Sequence, residues 1–333
     1  MKEHIKKNAH QYRLLGLLVI LLIVMGILAP GKFLTVKNFK NMGFQMAEFG
    51  ILAIGMSVVI MTGGINLSIV NSAMLASIVS AMAMRTLYNG GEGMADIPVI
   101  LIGVAITVVI AIACGMINGF FVAYIGVLPI LVTLGTQTVF DGIALNITRG
   151  SGVSGFPKLF QKIGAGTLGQ IPYTMLIYVV VIVVAYLMIE RSRWGISVYM
   201  VGGNEKATRF SGINTKKTIM GVYVFSAVLS GLAGILMTSR YNSAKADYGS
   251  SYTMQAVAAT VLGGTSINGG SGHVLGTVIA VAIIQVISSG FNILKINRNF
   301  TDIATGLILV GVLALNHFVN KGSLKKRVRV SVK

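Results

Sequence analysis

The sequence predicts an all-α, polytopic membrane protein with about ten transmembrane helices. First, 54% of the residues are hydrophobic and only 11% are charged, with a mean hydropathy of +0.81. A soluble domain carries about 25% charged residues, so this chain does not have enough to cover a water-facing surface. Second, apolar runs long enough for ~30 Å of hydrocarbon recur along the 333 residues. Third, those runs do not alternate polar with apolar, as the strands of a membrane barrel would. The one cysteine, Cys114, sits inside an apolar run. A disulfide framework within the chain and a thiolate metal site are therefore excluded.

The expected spans are 14–30, 45–62, 68–85, 97–118, 127–147, 172–190, 218–239, 252–264, 272–291 and 301–318. The first follows Lys2, Lys6 and Lys7, as a signal peptide would. It ends in Leu28-Ala29-Pro30-Gly31-Lys32 with no small-x-small cleavage pattern, which predicts an uncleaved helix. The second and eighth are short or rich in glycine. An even number of spans puts both termini on one side. Most of the 27 basic residues fall in the tail 1–13, the loop 191–217 and the tail 319–333. The positive-inside rule then assigns those three segments to the cytoplasm. The net charge of +18 therefore reports topology, and no polar domain exists to bind nucleic acid. The outer segments are short, and the longest, 148–171, is rich in glycine. The chain is expected to be a single transmembrane domain, 1–333.

Catalytic constellations are nearly absent from the sequence. His4, His10, His273 and His317 lack metal-ligand spacing. No Gly-x-x-x-x-Gly-Lys-Ser/Thr loop is present, so the chain does not bind ATP in that manner. Three carboxylates fall in or near spans: Glu48, Asp141 and Asp302. Glu48 and Asp302 are expected near span ends, hydrated at the interface. Asp141 lies deeper, after Thr136-Gln137-Thr138, and is a candidate pathway residue. So few buried carboxylates argue against an ion-driven carrier.

The run Gly63-Gly64-Ile65-Asn66-Leu67-Ser68 is echoed later by Gly263, Gly264 and Asn268 in Leu262–Gly270. Glycine-broken helices in internal repeats line the pathway of many transporters. Two plainer readings compete. The glycines allow close helix packing, and Asn66 or Ser68 caps the following helix.

The segment Gly202–Ile213 reads as a soluble helix inside an otherwise apolar chain. Asn204 is a suitable N-cap, Glu205 complements the first turn, Arg209 the last, and Gly212 is a stop. The helix is expected over 205–211, with Ala207 and Phe210 forming a small apolar patch beside Lys206 and Arg209. Two turns with one aromatic anchor poorly to lipid, which favours docking to a protein.

Four stretches together resemble a known family: Ile51–Ile60 leading into Gly63–Ser68, Pro129–Thr136, Gly202–Ile213 and Ala256–Ser266. Over about residues 13–318 the chain resembles the permease subunits of bacterial ABC importers of the ribose/simple-sugar type. The resemblance implies a multi-pass protein of the bacterial inner (plasma) membrane with both termini cytoplasmic. It implies a dimer with a second copy or a homologous permease, a cytoplasmic ABC ATPase holding ATP and magnesium, and an extracytoplasmic solute-binding protein. This chain itself would hold no cofactor and perform no bond chemistry. Gly203, Asn204, Glu205, Ala207, Thr208, Arg209, Phe210 and Gly212 match the coupling helix that docks on the ATPase. The implied cargo is a small polar solute, foremost a monosaccharide (pentose or hexose), with a sugar-derived signalling molecule, a polyol or a nucleoside as alternatives. A carrier or channel working without an ATPase is the competing class. Asn66 stands where the family motif has aspartate, and Val70 where it has glycine. A role that needs a carboxylate there is therefore not carried over.

Overall fold

The computed structural model describes residues 9–297 together with Phe300, Ile303, Gly306, Leu307, Val310 and Gly311. Most of the expected span 301–318, including Asp302, lies outside the described residues, as do the tail residues 1–8 and 319–333. The long helices are α1 (Ala9–Leu28), α2 (Val36–Met61), α3 (Ile69–Tyr88), α4 (Asp96–Phe120) and α5 (Pro129–Thr148). A short helix α6 (Lys158–Ala165) and a two-residue hairpin, β1 (Thr167–Leu168) with β2 (Ile171–Pro172), follow. Next come α7 (Tyr173–Tyr186), α8 (Arg193–Gly203), α9 (Glu205–Phe210) and α10 (Thr215–Tyr241). The last are α11 (Tyr252–Leu262) and α12 (Val274–Ile293). Helix α4 runs on through a wide π turn, Phe121–Ile125, and α7 through another, Leu187–Arg191.

Among the described residues, eight helical stretches are long and apolar enough to cross a membrane. They match eight expected spans, so the chain is a polytopic all-α membrane protein. The expected eighth span differs. Helix α11 has only 11 residues, about 16 Å at 1.5 Å per residue, roughly half the hydrocarbon thickness. The glycines that follow it turn the chain back instead of extending the helix. The 148–171 segment also holds more than a loop. Helix α6 lies on α10, where the Gly164 N–H donates to Ser239 Oγ at 2.7 Å.

Helix α2 is the centre of the bundle, and nearly all its residues from Ala47 to Met61 are fully enclosed. Small residues make this possible, because lipid tails give no hydrophobic push and close packing must hold the helices together. Helices α4 and α10 meet in this way. A methyl on Gly231 would stand 2.9 Å from Ala111 Cβ, and one on Gly115 would stand 2.7 Å from Ala227 Cβ. Helix α1 lies at the periphery against α12, with much of its surface exposed.

Glu48 overturns one expectation. It is not hydrated at a span end but is 0% exposed. Helix α2 begins at Val36, so Glu48 lies well inside it. Arg240, in the last turn of α10, forks onto the carboxylate through Nε–H (2.6 Å) and an NH2 group (2.7 Å). Removing one partner of such a pair strands the other charge in a low dielectric. Glu48→Ala is expected to destabilise the protein by about 3–5 kcal/mol, measured by thermal unfolding in detergent. Glu48→Met combined with Arg240→Met is expected to recover most of that loss. A double variant as unstable as the single one would show that the pair does not hold α2 to α10.

Candidate functional site

One end of the bundle carries α9 and both glycine motifs. Asn204 caps α9, its Oδ1 accepting from the Ala207 N–H at 3.0 Å. Glu205 occupies the first turn and Arg209 the last, and both complement the helix dipole. The helix ends at Phe210, one residue before the expected boundary, and Gly212 reverses the chain at φ +82°. Thr208 is buried and turned into the protein, its hydroxyl donating to the Asn204 carbonyl at 2.8 Å. Glu205, Lys206, Ala207 and Arg209 are exposed, and Phe210 is 93% exposed.

Helix α9 is joined to the bundle through backbone. The Gly270 N–H donates to the Met61 carbonyl at 2.9 Å, tying the loop after α11 to the end of α2. Gly202, at the end of α8, lies against both groups. A methyl there would overlap the Met61 oxygen and stand 2.5 Å from the Gly270 nitrogen. Gly270 itself has φ +76°, and a methyl on it would stand 2.9 Å from Gly203 Cα. Three chain segments therefore meet with no side chain between them. The structure brings Gly63 within reach of Asn268 and Gly269, so the two echoed glycine motifs do meet. Gly263 packs on the Gly276–Thr277 backbone and ties α11 to α12.

Residues outside the motifs complete the joint. Tyr199 on α8 donates its hydroxyl to the Gly272 carbonyl at 2.9 Å. Burial, and then the nearby Glu190 charge, push that hydroxyl up to about 12, so the donor persists at physiological pH. Glu190 Oε1 accepts from the Val274 N–H at 3.1 Å, satisfying a free donor at the α12 N-terminus. Neither residue carries a local signal, because each is defined by a partner more than 70 positions away. His10 Nε2 lies 3.1 Å from the Leu262 carbonyl oxygen. The start of α1 is therefore at the same end as α9.

Asn66 and Ser68 do something else. Ser68 holds the cap position of α3 but makes no cap bond with its side chain. Its hydroxyl donates to Asn66 Oδ1 (2.9 Å) and accepts from Asn118 Nδ2 (2.8 Å). Asn66 Nδ2 donates to Ser226 Oγ (3.2 Å), and Thr136 donates to Asn118 Oδ1 (2.7 Å). This buried chain links α3, α4, α5 and α10. Only one of its Asn66 bonds uses the amide N–H. With aspartate there, Ser226 would only need to turn its hydroxyl to donate. Asp141 lies apart from both groups, half-buried on α5 and accepting from Asn71 Nδ2 at 3.3 Å.

Membrane-crossing helices with glycine breaks at one end are the architecture expected of a transport permease. The family described as "Branched-chain amino acid transport system / permease component" matches residues 38–313, and the chain belongs to it. It is 36% identical to the ribose import permease protein of Bacillus subtilis (strain 168), over 89% of each chain. It is 30% identical to the D-allose transport system permease protein of Escherichia coli (strain K12), over 93% of each. It is also 30% identical to the autoinducer 2 import system permease protein of Yersinia enterocolitica, over 81% of each. No solved structure matches it. The chain is thus a multi-pass permease subunit of the ABC-importer class, which works with an ATPase and a solute-binding protein.

The joint makes a paired prediction. Gly202→Ala is expected to cost about 1–3 kcal/mol through overpacking against fixed backbone. Gly203→Ala, where a methyl meets nothing within 4 Å, is expected to stay within about 0.5 kcal/mol of the parent. Thermal unfolding of the two purified variants checks this, and equal stabilities would count against the joint.

Proposed function

We propose that this chain imports a sugar-type solute, foremost a pentose or hexose, as one half of a permease dimer. In this reading α9 is the coupling helix, the three basic segments and both termini are cytoplasmic, and ATP with magnesium binds in the partner ATPase. The observation that carries it is Phe210. An aromatic side chain 93% exposed on a two-turn helix, flanked by Glu205 and Arg209, has the form of an interface anchor. The printed names of the relatives, which concern ribose, D-allose and autoinducer 2, support a sugar-like cargo. The outward face of α5, with Leu131, Leu134, Thr138 and Val139 exposed, suits the second permease. Here ATP-driven closure of the ATPases moves α9, and the joint passes that movement to α2, α11 and α12, alternating access to the pathway. An ion-driven carrier is disfavoured because Arg240 already neutralises Glu48.

Phe210→Ala is expected to weaken ATPase association by about 2 kcal/mol, roughly thirtyfold. Arg209→Glu is expected to reduce ATP-dependent uptake while the chain remains inserted. Co-purification with the ATPase and uptake into vesicles measure both. Full gradient-driven uptake by the purified chain alone in liposomes, with no ATPase bound, would reject the proposal.

A further inference from the structure

A cavity of about 300 Å³ opens in the half of the bundle away from α9. Gln45 of α2 lines it, 16 residues before Met61, which puts it about 24 Å from the backbone joint. Helix α12 contributes a polar stripe at helical spacing, Gln285, Ser288 and Asn292, and Lys295 follows in the turn just past its end. Exposure rises along it, from buried Gln285 through half-buried Ser288 to exposed Asn292. The stripe is therefore a graded route from the surface to a buried floor. Gln255 and Tyr252, at the start of the half-length helix α11, form the opposite wall with Tyr241.

The lining chemistry selects a ligand. Gln285 Nε2 donates to Gln45 Oε1 at 3.0 Å, which leaves each amide with further donor and acceptor capacity. Amides and hydroxyls do both, as the hydroxyl groups of a sugar require. Tyr252 offers ring surface to the C–H side of such a molecule, while the Tyr241 ring is packed on Tyr248 at 4.8 Å. Arg240 donates to the Tyr241 hydroxyl at 2.6 Å and lies over its ring, and Tyr252 packs on Phe49 at 5.7 Å. Among the described residues, no acidic side chain lines the cavity, and Lys295, at the outer end, is the one cationic lining residue. An amino acid's ammonium group would find no counter-charge there. The size is at the lower end of small-molecule sites, about 300–1,000 Å³.

We propose that this cavity is the permease's own solute subsite, taking a neutral polyhydroxylated molecule of monosaccharide size and rejecting amino acids. It rests on the reading of the chain as a sugar-type importer. The test uses the whole transporter, permease with ATPase and binding protein, in membrane vesicles. Ser288→Cys is placed in a Cys114→Ala background and exposed to an impermeant methanethiosulfonate reagent. The probes are D-ribose, D-allose, other neutral pentoses and hexoses, and L-leucine. We expect the cysteine to be labelled, a transported sugar to slow labelling about tenfold, and leucine to have no effect. Gln285→Ala should abolish that protection and cut sugar uptake about tenfold, the effect of one lost hydrogen bond, and Gln285→Asn should restore part of it. Labelling that no sugar slows, in a transporter that still takes sugar up, overturns the subsite and leaves the importer reading intact. The same holds for a cysteine that is never labelled. Protection by leucine overturns the neutral-solute assignment. If the unaltered transporter takes up none of these sugars, the importer reading falls, and the subsite with it.

Discussion

The structure depends on a contact that involves no side chain. The Gly270 N–H reaches the Met61 carbonyl, and Gly202 lies against both. A helix that ends inside a membrane protein leaves backbone groups that must be paired within the protein. Here the end of α2 satisfies part of that need through the loop after α11, and α8 closes over both. Because backbone is stiff and closely packed, displacement of α8 is passed on instead of being absorbed by a side-chain rotamer. The same contact fixes where α9 projects, since α9 follows Gly203 after one capping residue.

Helix α11 gives this joint its reach. Its first residues, Tyr252 and Gln255, line the polar cavity, and its last, Leu262, precedes the glycines packed on α12. This short helix thus runs from the wall of the polar cavity towards the end bearing α9.

Polar groups inside the bundle stabilise a particular arrangement instead of serving as free reactive centres. Glu48 and Arg240 neutralise each other and position Tyr241. Asn66, Ser68, Asn118, Thr136 and Ser226 hold four helices in register. Such groups are costly in hydrocarbon unless paired, so each pairing selects one packing of the helices over shifted alternatives. At Asn66 both side-chain groups are engaged in hydrogen bonds between buried neighbours.

The sequence by itself determined the fold class, the position of nearly every described crossing helix and the existence of α9. These follow from local signals: apolar run length, charge placement, the Asn204 cap and the Gly212 stop. It also singled out both glycine motifs, though not that they meet. Only the tertiary structure decided that Glu48 is enclosed, because its partner Arg240 is 192 positions away and hydropathy at a helix end does not reveal it. Only the tertiary structure showed α11 to be half a crossing, Thr208 to face inward and Phe210 outward, and Gln45, Gln255 and Gln285 to share a cavity. The physical reason is common to all of these. Secondary structure is set by residues within a turn or two, whereas burial, pairing and cavities are set by which distant helices pack together.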